Sequence, residues 1–285
     1  MVEKKETWSI LRTEPLDAAV NMAIDEALLR WHSEGKIKPT LRFYQWKTPS
    51  LSVGYFQKVS SSVDVDKLNE AKGQLVRRLT GGSAVLHDKE LTYSIVVSER
   101  HPKIPKTVQE AYYVLAQGIV LGYRYLQVDA SLQQQQPRDE RSPVCFETPA
   151  LYELVVGGKK ISGNAQTRKK GVLLQHGSIP FQFDVDFLFS LFSFPNERVR
   201  QRKIAQFKEK AVALEDLLGR SVQYEEVEEA FYRGFTEALG INTEPLELST
   251  EDWNEIHHLA ETKYRSPAWT YHRQRDIIKG GNIYG

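Results

Sequence analysis

Two residues of this chain could carry covalent chemistry together. Cys145 is the only cysteine among the 285 residues, and Lys160 follows it in a strand-like run. A thiol has a pKa of about 8.5, so only roughly a tenth of it is thiolate near pH 7.5. An ammonium group within about 4–6 Å would lower that pKa by roughly 1–3 units. The pair predicts nucleophilic catalysis, and a buried structural cysteine beside a solvated lysine is the competing interpretation.

A second candidate is the stretch from Arg77 to Asp88, in which two arginines precede an adjacent glycine pair. The glycines let backbone N–H groups approach a ligand closely, and an arginine could hold a carbonyl, carboxylate or phosphate beside them. The spacing excludes a P-loop and a dinucleotide-binding fingerprint. A surface turn with incidental arginines is the alternative interpretation.

Two further histidine sites are weaker candidates. His176 and Gly177 interrupt an otherwise apolar strand, where the histidine could be a base, a substrate contact or a hydrogen-bonded core residue. His257 and Glu261 share a helix face, but no third ligand is evident. We therefore expect no metal site.

The composition bounds the class of protein. A net charge of +1 argues against nucleic-acid binding driven by bulk charge. A single cysteine cannot form an internal disulfide, and the N-terminus lacks the apolar segment of a signal peptide. No apolar run reaches the length of a membrane helix. We expect a cytoplasmic protein that binds neither membrane nor nucleic acid.

Several elements can be placed from capping residues and periodicity. Asp17 can cap an amphipathic helix that runs to Trp31, and Thr107 and Glu110 form a capping box that opens a helix to Tyr125. The other helix candidates are 63–72, 184–194, 197–210, 224–239 and 250–264. The strand candidates are 41–46, 51–55, 75–78, 91–97, 152–156, 159–163 and 171–181.

The hairpin is the element that bears on Cys145. Gly157-Gly158 links two strand-like runs and places Lys160 approximately opposite Val155, a few residues from the Cys145 end. Contact between the two is compatible with this geometry but not required by it. The preceding segment, 131–142, contains four consecutive glutamines and is expected to be a mobile loop or a segment that only a ligand orders. The tail, 265–285, is expected to be poorly ordered.

These pieces, in this order, resemble the lipoate-protein ligase and biotin-protein ligase superfamily. The matching stretches are 21–29, 52–57, 77–88, 160–166 and 176–178. Within the superfamily, Ser142 to Pro149 ahead of Tyr152 to Val156 resembles the octanoyltransferases of the LipM type. That second similarity extends through 196–200 and 257–264, so it covers nearly the whole chain.

The resemblance implies an α/β (α+β) fold, in which a mixed, mainly antiparallel sheet is flanked by helices and followed by a helical C-terminal region. We expect an N-terminal helix in 1–35, a catalytic domain in 36–245, and a C-terminal helix and tail in 246–285. The resemblance implies that Cys145 carries an octanoyl thioester and that Lys160 tunes it. It assigns substrate binding to Arg77, Arg78, Thr80, Gly81, Gly82, Ser83, His87, Ser162, Gly163, Asn164, His176 and Gly177.

The implied reaction moves an octanoyl group from the phosphopantetheine of acyl carrier protein to a lysine of the glycine cleavage H protein or another lipoyl domain. Thiolate attack on a thioester is nearly isoenergetic, so neither ATP nor a metal is expected as a cofactor. Three alternatives stay open. They are an ATP-dependent lipoate-protein ligase, an amidotransferase from H protein to other lipoyl domains, and a non-catalytic module that binds a carrier protein.

Overall fold

A mixed β-sheet organises the part of the chain that the computed structural model describes, residues 5–59, 63–134 and 152–271. Strands and helices are interspersed along the chain, and three of the strands form a second, smaller sheet. The strands are β1 (Glu6–Arg12), β2 (Thr40–Tyr44), β3 (Ser50–Val53), β4 (Gln74–Arg77), β5 (Val85–His87), β6 (Glu90–Ser98), β7 (Ser131–Gln134), β8 (Tyr152–Val156), β9 (Lys159–Lys169), β10 (Val172–Pro180) and β11 (Ile241–Pro245).

Helices cover both faces of the sheet. They are α1 (Ala18–Ser33), α2 (Val65–Glu70), α3 (Val108–Tyr125), α4 (Val185–Ser190), α5 (Glu197–Lys210), α6 (Leu214–Leu218), α7 (Tyr224–Leu239), α8 (Thr250–Leu259) and α9 (Pro267–Thr270). A π-helical turn, Ala260–Tyr264, continues α8.

Eight strands form the main sheet in the order β11-β1-β2-β6-β10-β9-β8-β7, and β4-β3-β5 form a second, small sheet. In the main sheet β1 is parallel to both of its neighbours, and every other pair is antiparallel. This architecture confirms the predicted mixed, mainly antiparallel sheet flanked by helices.

Alternation along the strands divides the sheet into two faces. In β6, Tyr93 and Ile95 pack into the core under α3 and α7. Their neighbours Thr92 and Ser94 point to the opposite face, where Ser94 donates a hydrogen bond to Asp25 of α1. Successive side chains of a strand point to opposite faces, so one face is an apolar core and the other carries buried polar groups.

Several predicted elements have the bounds that the sequence indicated. Helices α5 and α7 match their predicted ranges, Asp17 caps α1, and Lys160 lies opposite Val155 in the hairpin. Strand β1 was not predicted. The first predicted segment therefore contributes β1 as well as α1, and β1 pairs with β2 and β11. The division into three segments stays a prediction.

Two expectations about disorder are wrong where the structure describes the residues. Ser131–Gln134 forms edge strand β7 paired with β8, because main-chain hydrogen bonds to β8 order this polar stretch. The start of the tail forms α9, because Trp269 is buried against Tyr55 and Tyr264. The rest of each segment, 135–142 and 272–285, lies outside the described residues. Within the described ranges, no helix has the length and apolar character needed to cross a membrane.

Candidate active site

A narrow cleft with a cavity volume of about 40 Å³, partly open to solvent, lies between α1, the small sheet and the strands β2, β6, β9 and β10. Gly82 is exposed at this cleft, whereas Met22 of α1 and Tyr44 of β2 are buried. The cleft therefore runs from the protein surface into the interior. It brings together seven of the residues predicted from the sequence: Arg78, Gly82, His87, Gly163, Asn164, His176 and Gly177.

Arg78 connects the parts of the cleft wall through hydrogen bonds. Its Nε donates to the Thr80 hydroxyl at 3.2 Å, and its Nη1 donates to the Ser52 carbonyl and hydroxyl, both at 2.9 Å. Its Nη2 donates to the carbonyls of Gly81 and Ser83. A guanidinium carries five N–H groups, so the protein itself supplies a partner for each of them.

His176 is held between a carboxylate and a hydroxyl. Its Nδ1 lies 3.1 Å from Asp25 Oδ2, and its Nε2 lies 2.7 Å from Thr80 Oγ1. A carboxylate only accepts, so Nδ1 carries the proton and Nε2 accepts from Thr80. Burial lowers the pKa of His176 against the opposing effect of Asp25. The imidazole is therefore neutral at neutral pH.

Asp25 itself is part of a buried ion pair. Burial raises its pKa, but the His176 hydrogen bond and the Arg42 charge outweigh burial and hold the pKa of Asp25 below its usual value. Arg42 Nη1 donates to Asp25 Oδ1 at 2.8 Å, and both side chains are almost completely buried. The carboxylate thus stays ionised beneath the cleft and fixes the tautomer of His176.

His87 repeats the same arrangement on the other side of Arg78. Its Nδ1 lies 2.7 Å from Glu90 Oε1, its Nε2 lies 2.7 Å from Ser52 Oγ, and its ring stacks on Trp46 at 4.1 Å between centroids. Glu90 also accepts hydrogen bonds from the hydroxyls of Thr92 and Ser178. Two carboxylate–imidazole–hydroxyl chains therefore converge on one guanidinium.

These two chains of hydrogen bonds determine which groups of the cleft are available to a ligand. The polar hydrogens of Arg78, His87 and His176 point to protein acceptors. The rest of the lining includes Met22, Tyr44, Trp46, Val85 and Ala165. Buried polar groups that are paired with one another present mainly carbon to the space beside them. The cleft suits an apolar chain, although many of its residues are polar by type.

Arg77 does not line this cleft, and the structure assigns it a different role. Its guanidinium donates to the carbonyls of Gly54, Tyr55 and Gln57 and to those of Trp269 and Thr270. Adjacent residues of a strand point to opposite sides, so Arg77 and Arg78 cannot both face one ligand. Arg77 therefore joins the loop after β3 to α9.

The remaining predicted residues lie behind the cleft wall. The Thr80 hydroxyl supports His176, and the Gly81 and Ser83 carbonyls accept from Arg78. Gly82 packs against Gly54. A Cβ on Gly54 would overlap the Gly82 carbonyl, so only glycine fits at position 54. The Ser162 hydroxyl donates to the Ser178 carbonyl. These residues shape the site without lining it, apart from Gly82.

Lys160 lies on β9, the strand that also supplies Gly163 and Asn164 to the cleft. The register between β8 and β9 shifts between Leu154 and Val155, and such irregularities re-aim side chains. Lys160 is buried, and its Nζ donates to Glu153 Oε1 at 3.0 Å. Cys145 lies outside the described residues, so its position relative to Lys160 stays a prediction.

Asp25, Glu90 and Glu153 are acidic residues of the site that the sequence did not lead us to predict. Asp25 stands in the stretch 21–29 that matches the superfamily, and Glu90 follows His87 by three residues, so both had a signal. Glu153 lies in the predicted hairpin strand beside Lys160. Within the described ranges, no group of three His, Cys, Asp or Glu side chains could hold a metal ion, and His257 stacks on Trp253.

Comparison with known proteins shows that the chain belongs to the family of the lipoyl protein ligase A/B catalytic domain. The family profile of the lipoyl protein ligase A/B catalytic domain matches residues 17–236. The octanoyltransferase LipM of Oceanobacillus iheyensis is 51% identical over 260 residues, which cover 91% of this chain and 95% of the relative. The octanoyltransferase LipM of Bacillus subtilis is 50% identical over 277 residues, which cover 95% of this chain and 100% of the relative.

Solved structures agree with this placement. A bipartite lipoate protein ligase from Thermoplasma acidophilum, described with its E2 lipoyl domain, matches with a TM-score of 0.78 at 28% identity, covering 95% of this chain and 98% of that one. A lipoate-protein ligase A bound with ATP matches with a TM-score of 0.77 at 27% identity, covering 94% and 99%. The fold is therefore shared by proteins named as ligases and, through the sequence relatives, by proteins named as transferases.

Proposed function

Because the chain belongs to the lipoyl protein ligase A/B family and, within it, to the octanoyltransferases of the LipM type, we propose that it transfers octanoyl groups through a thioester on Cys145. The chain is an acyltransferase of lipoate biosynthesis. The proposal concerns its donor, intermediate and acceptor. The donor is octanoyl-acyl carrier protein, and the acceptor is a lysine of the glycine cleavage H protein or another lipoyl domain.

The observation that carries this proposal is the cleft whose polar walls are hydrogen-bonded among themselves. An octanoyl tail is apolar and needs a surface without unpaired donors. Arg78 has protein partners for all five N–H groups, so a nucleotide phosphate at this arginine would displace existing bonds. The cleft therefore supports acyl binding at this position.

Lys160 supports the thioester. Lys160 is buried on β9, a strand that lines the cleft. Its ammonium lies close to β8, the strand that follows Cys145 in the sequence. A nearby cation stabilises a thiolate, and the thiolate is the nucleophilic form of cysteine. Lys160 would lower the pKa of the Cys145 thiol in the free enzyme and stabilise the leaving thiolate in the second half-reaction.

The chemistry balances without a nucleotide. The Cys145 thiolate attacks the donor carbonyl carbon, a new C–S bond forms, and the phosphopantetheine thiolate leaves and takes up the proton that Cys145 lost. The acceptor amine then attacks the acyl-enzyme, forms a C–N bond and loses a proton as the Cys145 thiolate leaves. The second step converts a thioester into an amide, which is energetically favourable.

The test uses two donors side by side. The protein is incubated with octanoyl-acyl carrier protein or with octanoyl-H protein, and the mass of the intact protein and its peptides is measured before and after hydroxylamine. We expect a hydroxylamine-labile octanoyl group on the peptide that contains Cys145, formed from the carrier-protein donor. Formation from octanoyl-H protein alone would assign the chain to the amidotransferases.

A third reaction separates the proposal from a ligase. The protein receives free octanoate or lipoate with ATP and magnesium, and modification of the acceptor lysine is followed by mass. Substantial modification that survives in Cys145→Ala would refute the thioester route. Binding of carrier protein without any acyl transfer would support the non-catalytic module instead.

A further inference from the structure

Helix α5 concentrates positive charge on the protein surface. Its 14 residues include six basic side chains and two acidic ones, although the whole chain has a net charge of +1. The basic residues are Arg198, Arg200, Arg202, Lys203, Lys208 and Lys210. The rest of the chain is therefore slightly acidic, and α5 would attract an anionic partner.

The inner side of α5 is already used by the fold. Ile204 and Phe207 are buried in an apolar cluster with residues of β3 and α4. The Phe207 ring packs edge-on against the rings of Phe183 and Phe189. The helix is thus held in place from one side, and its outer side is exposed at Arg198, Arg202, Lys208 and Lys210.

Arg198 and Arg202 do not stabilise α5. Arg200 pairs with Glu197 at 3.1 Å, whereas Arg198 and Arg202 form no ion pair among the described residues. They lie four residues apart, so both point to the same side of the helix, and like charges at this spacing repel each other. Arg198 also lies in the first helical turn, where the helix dipole disfavours a positive charge. A partner outside the chain explains these two arginines better than the fold does.

The C-terminal end of α5 adjoins the strand that lines the cleft. The Val212 N–H donates to the Lys160 carbonyl at 3.0 Å, and Lys159 Nζ donates to the Lys208 carbonyl at 3.2 Å. From Lys160, β9 reaches Gly163 of the cleft in about 10 Å, and Arg202 lies about 12 Å from the end of α5. A partner on α5 therefore lies beside the cleft, and only a long arm brings its reactive group to the lining.

Building on the proposed function, we propose that the outer face of α5, around Arg198 and Arg202, docks the acyl-donor protein through an acidic surface of that protein. The donor carries its acyl group on phosphopantetheine, which a phosphodiester joins to the protein, so a negative charge lies at the base of the arm. The long arm allows the donor to sit on α5 while its acyl group enters the cleft. The acceptor offers only a lysine side chain, which favours the donor as the occupant of α5.

An anionic lipid surface is another partner that basic side chains attract. A helix that lies on a membrane buries an apolar face among the lipids. In α5 the large apolar residues Ile204 and Phe207 are buried inside the protein instead. The outer face has charge without an apolar anchor, and this favours a protein partner.

The experiment replaces both arginines in one variant, Arg198→Gln with Arg202→Gln. The matched control is Arg100→Gln with Arg124→Gln, because these arginines are also exposed and form no ion pair among the described residues. For each protein, calorimetry measures the Kd for phosphopantetheine-bearing acyl carrier protein and for H protein, at low and at high salt. Co-sedimentation measures binding to vesicles with and without anionic phospholipid, and kinetics give kcat and KM for octanoyl-acyl carrier protein.

We expect the Arg198, Arg202 variant to bind the carrier protein about fivefold more weakly at low salt, since charges at the rim of an interface contribute modestly. The difference from the wild type narrows at high salt, because salt screens exposed charges. The KM for the donor rises by a similar factor, while kcat stays within about twofold. The control changes none of these values. The urea midpoint of the Arg198, Arg202 variant is not lowered, because the two arginines repel each other in the wild type.

Equal carrier binding by the wild type and the Arg198, Arg202 variant would overturn the inference, and so would an equal loss in the control. Loss of H-protein binding or of vesicle binding, with carrier binding intact, would assign α5 to that partner and refute the donor. A wild type that does not bind the carrier would also refute it. Failure of the proposed function gives a different result, since the wild type would then bind the carrier through α5 and yet form no thioester on Cys145.

Discussion

Replacing Asp25 by asparagine tests the buried network beneath the cleft. In the wild type, Asp25 accepts hydrogen bonds from Arg42, Ser94 and His176. Asparagine keeps the shape but loses the charge, and its NH₂ group would face the Nδ1–H of His176. Arg42 would then keep a buried positive charge without its partner.

The magnitude follows from this burial. Asp25 and Arg42 are 2% and 0% exposed, and removing one partner of a buried pair costs about 3–5 kcal/mol. An exposed pair provides the contrast. Lys38 and Glu244 are each about half exposed, and Glu244→Gln is expected to cost at most about 1 kcal/mol.

Urea unfolding followed by circular dichroism measures both variants. We expect a large fall in the urea midpoint for Asp25→Asn and almost none for Glu244→Gln, with similar slopes of unfolding free energy against urea. A double variant, Asp25→Asn with Arg42→Met, should lose less than the sum of its two single variants, because the unpaired charge is removed. A loss below about 1 kcal/mol for Asp25→Asn would refute this electrostatic explanation.

Acid provides a second check of the same pair. The pKa of Asp25 is lowered in the folded protein, so its ionised form contributes stability at all pH values above the unfolded pKa of about 3.9. That contribution is lost as the pH falls through the lower, folded pKa. The stability difference between the wild type and Asp25→Asn should therefore narrow only in this acid range. A stability difference between the wild type and Asp25→Asn that disappears near neutral pH would contradict this expectation.

Three other predictions concern the cleft and α9. Trp269→Ala removes a buried indole whose Nε1 donates to the Arg77 carbonyl, so it should cost about 3–5 kcal/mol in urea unfolding and loosen α9, which limited proteolysis would detect. Protease resistance equal to that of the wild type would argue against that anchor. Arg78→Lys should cost about 1–3 kcal/mol and weaken acyl transfer, because lysine cannot supply five donors in a fork, and unchanged stability and activity would speak against the shared guanidinium. The midpoint of the His176 imidazole titration, followed by NMR, should lie below pH of about 6.5. Because the unfolded chain binds this proton more readily, the free energy of unfolding should fall as the pH drops below about 6.5. A midpoint above 6.5 would be inconsistent with a buried, neutral ring.

Local signals in the sequence predicted the elements well. The bounds of α7 follow from its apolar periodicity and from Gly240, which ends the helix in the left-handed region. The Gly157-Gly158 turn predicted that Val155 would face Lys160, because a two-residue link fixes the register of a hairpin. The missed strand β1 pairs with β11 more than 230 residues later, and periodicity within one strand carries no information about such a partner.

The sequence predicted which residues form the candidate site more reliably than it predicted what each residue does there. Arg77 and Arg78 were treated alike, although alternation along a strand already implies that only one of them faces the cleft. Asp25 and His176 are 151 residues apart in the chain, so their contact follows from the packing of α1 on β10. The sequence indicates which residues belong to the site. The tertiary structure determines which of them can contact a ligand and which support those residues.

We propose that Cys145 carries the octanoyl group as an intermediate. The most direct measurement isolates the enzyme after incubation with octanoyl-acyl carrier protein, removes the donor, adds H protein without ATP, and follows the octanoyl label by mass over time. We expect the label to leave Cys145 and to appear on the acceptor lysine at least as fast as steady-state turnover, and we expect Cys145→Ala to transfer nothing. Steady transfer by Cys145→Ala, or a label on Cys145 that never reaches the acceptor, would contradict it.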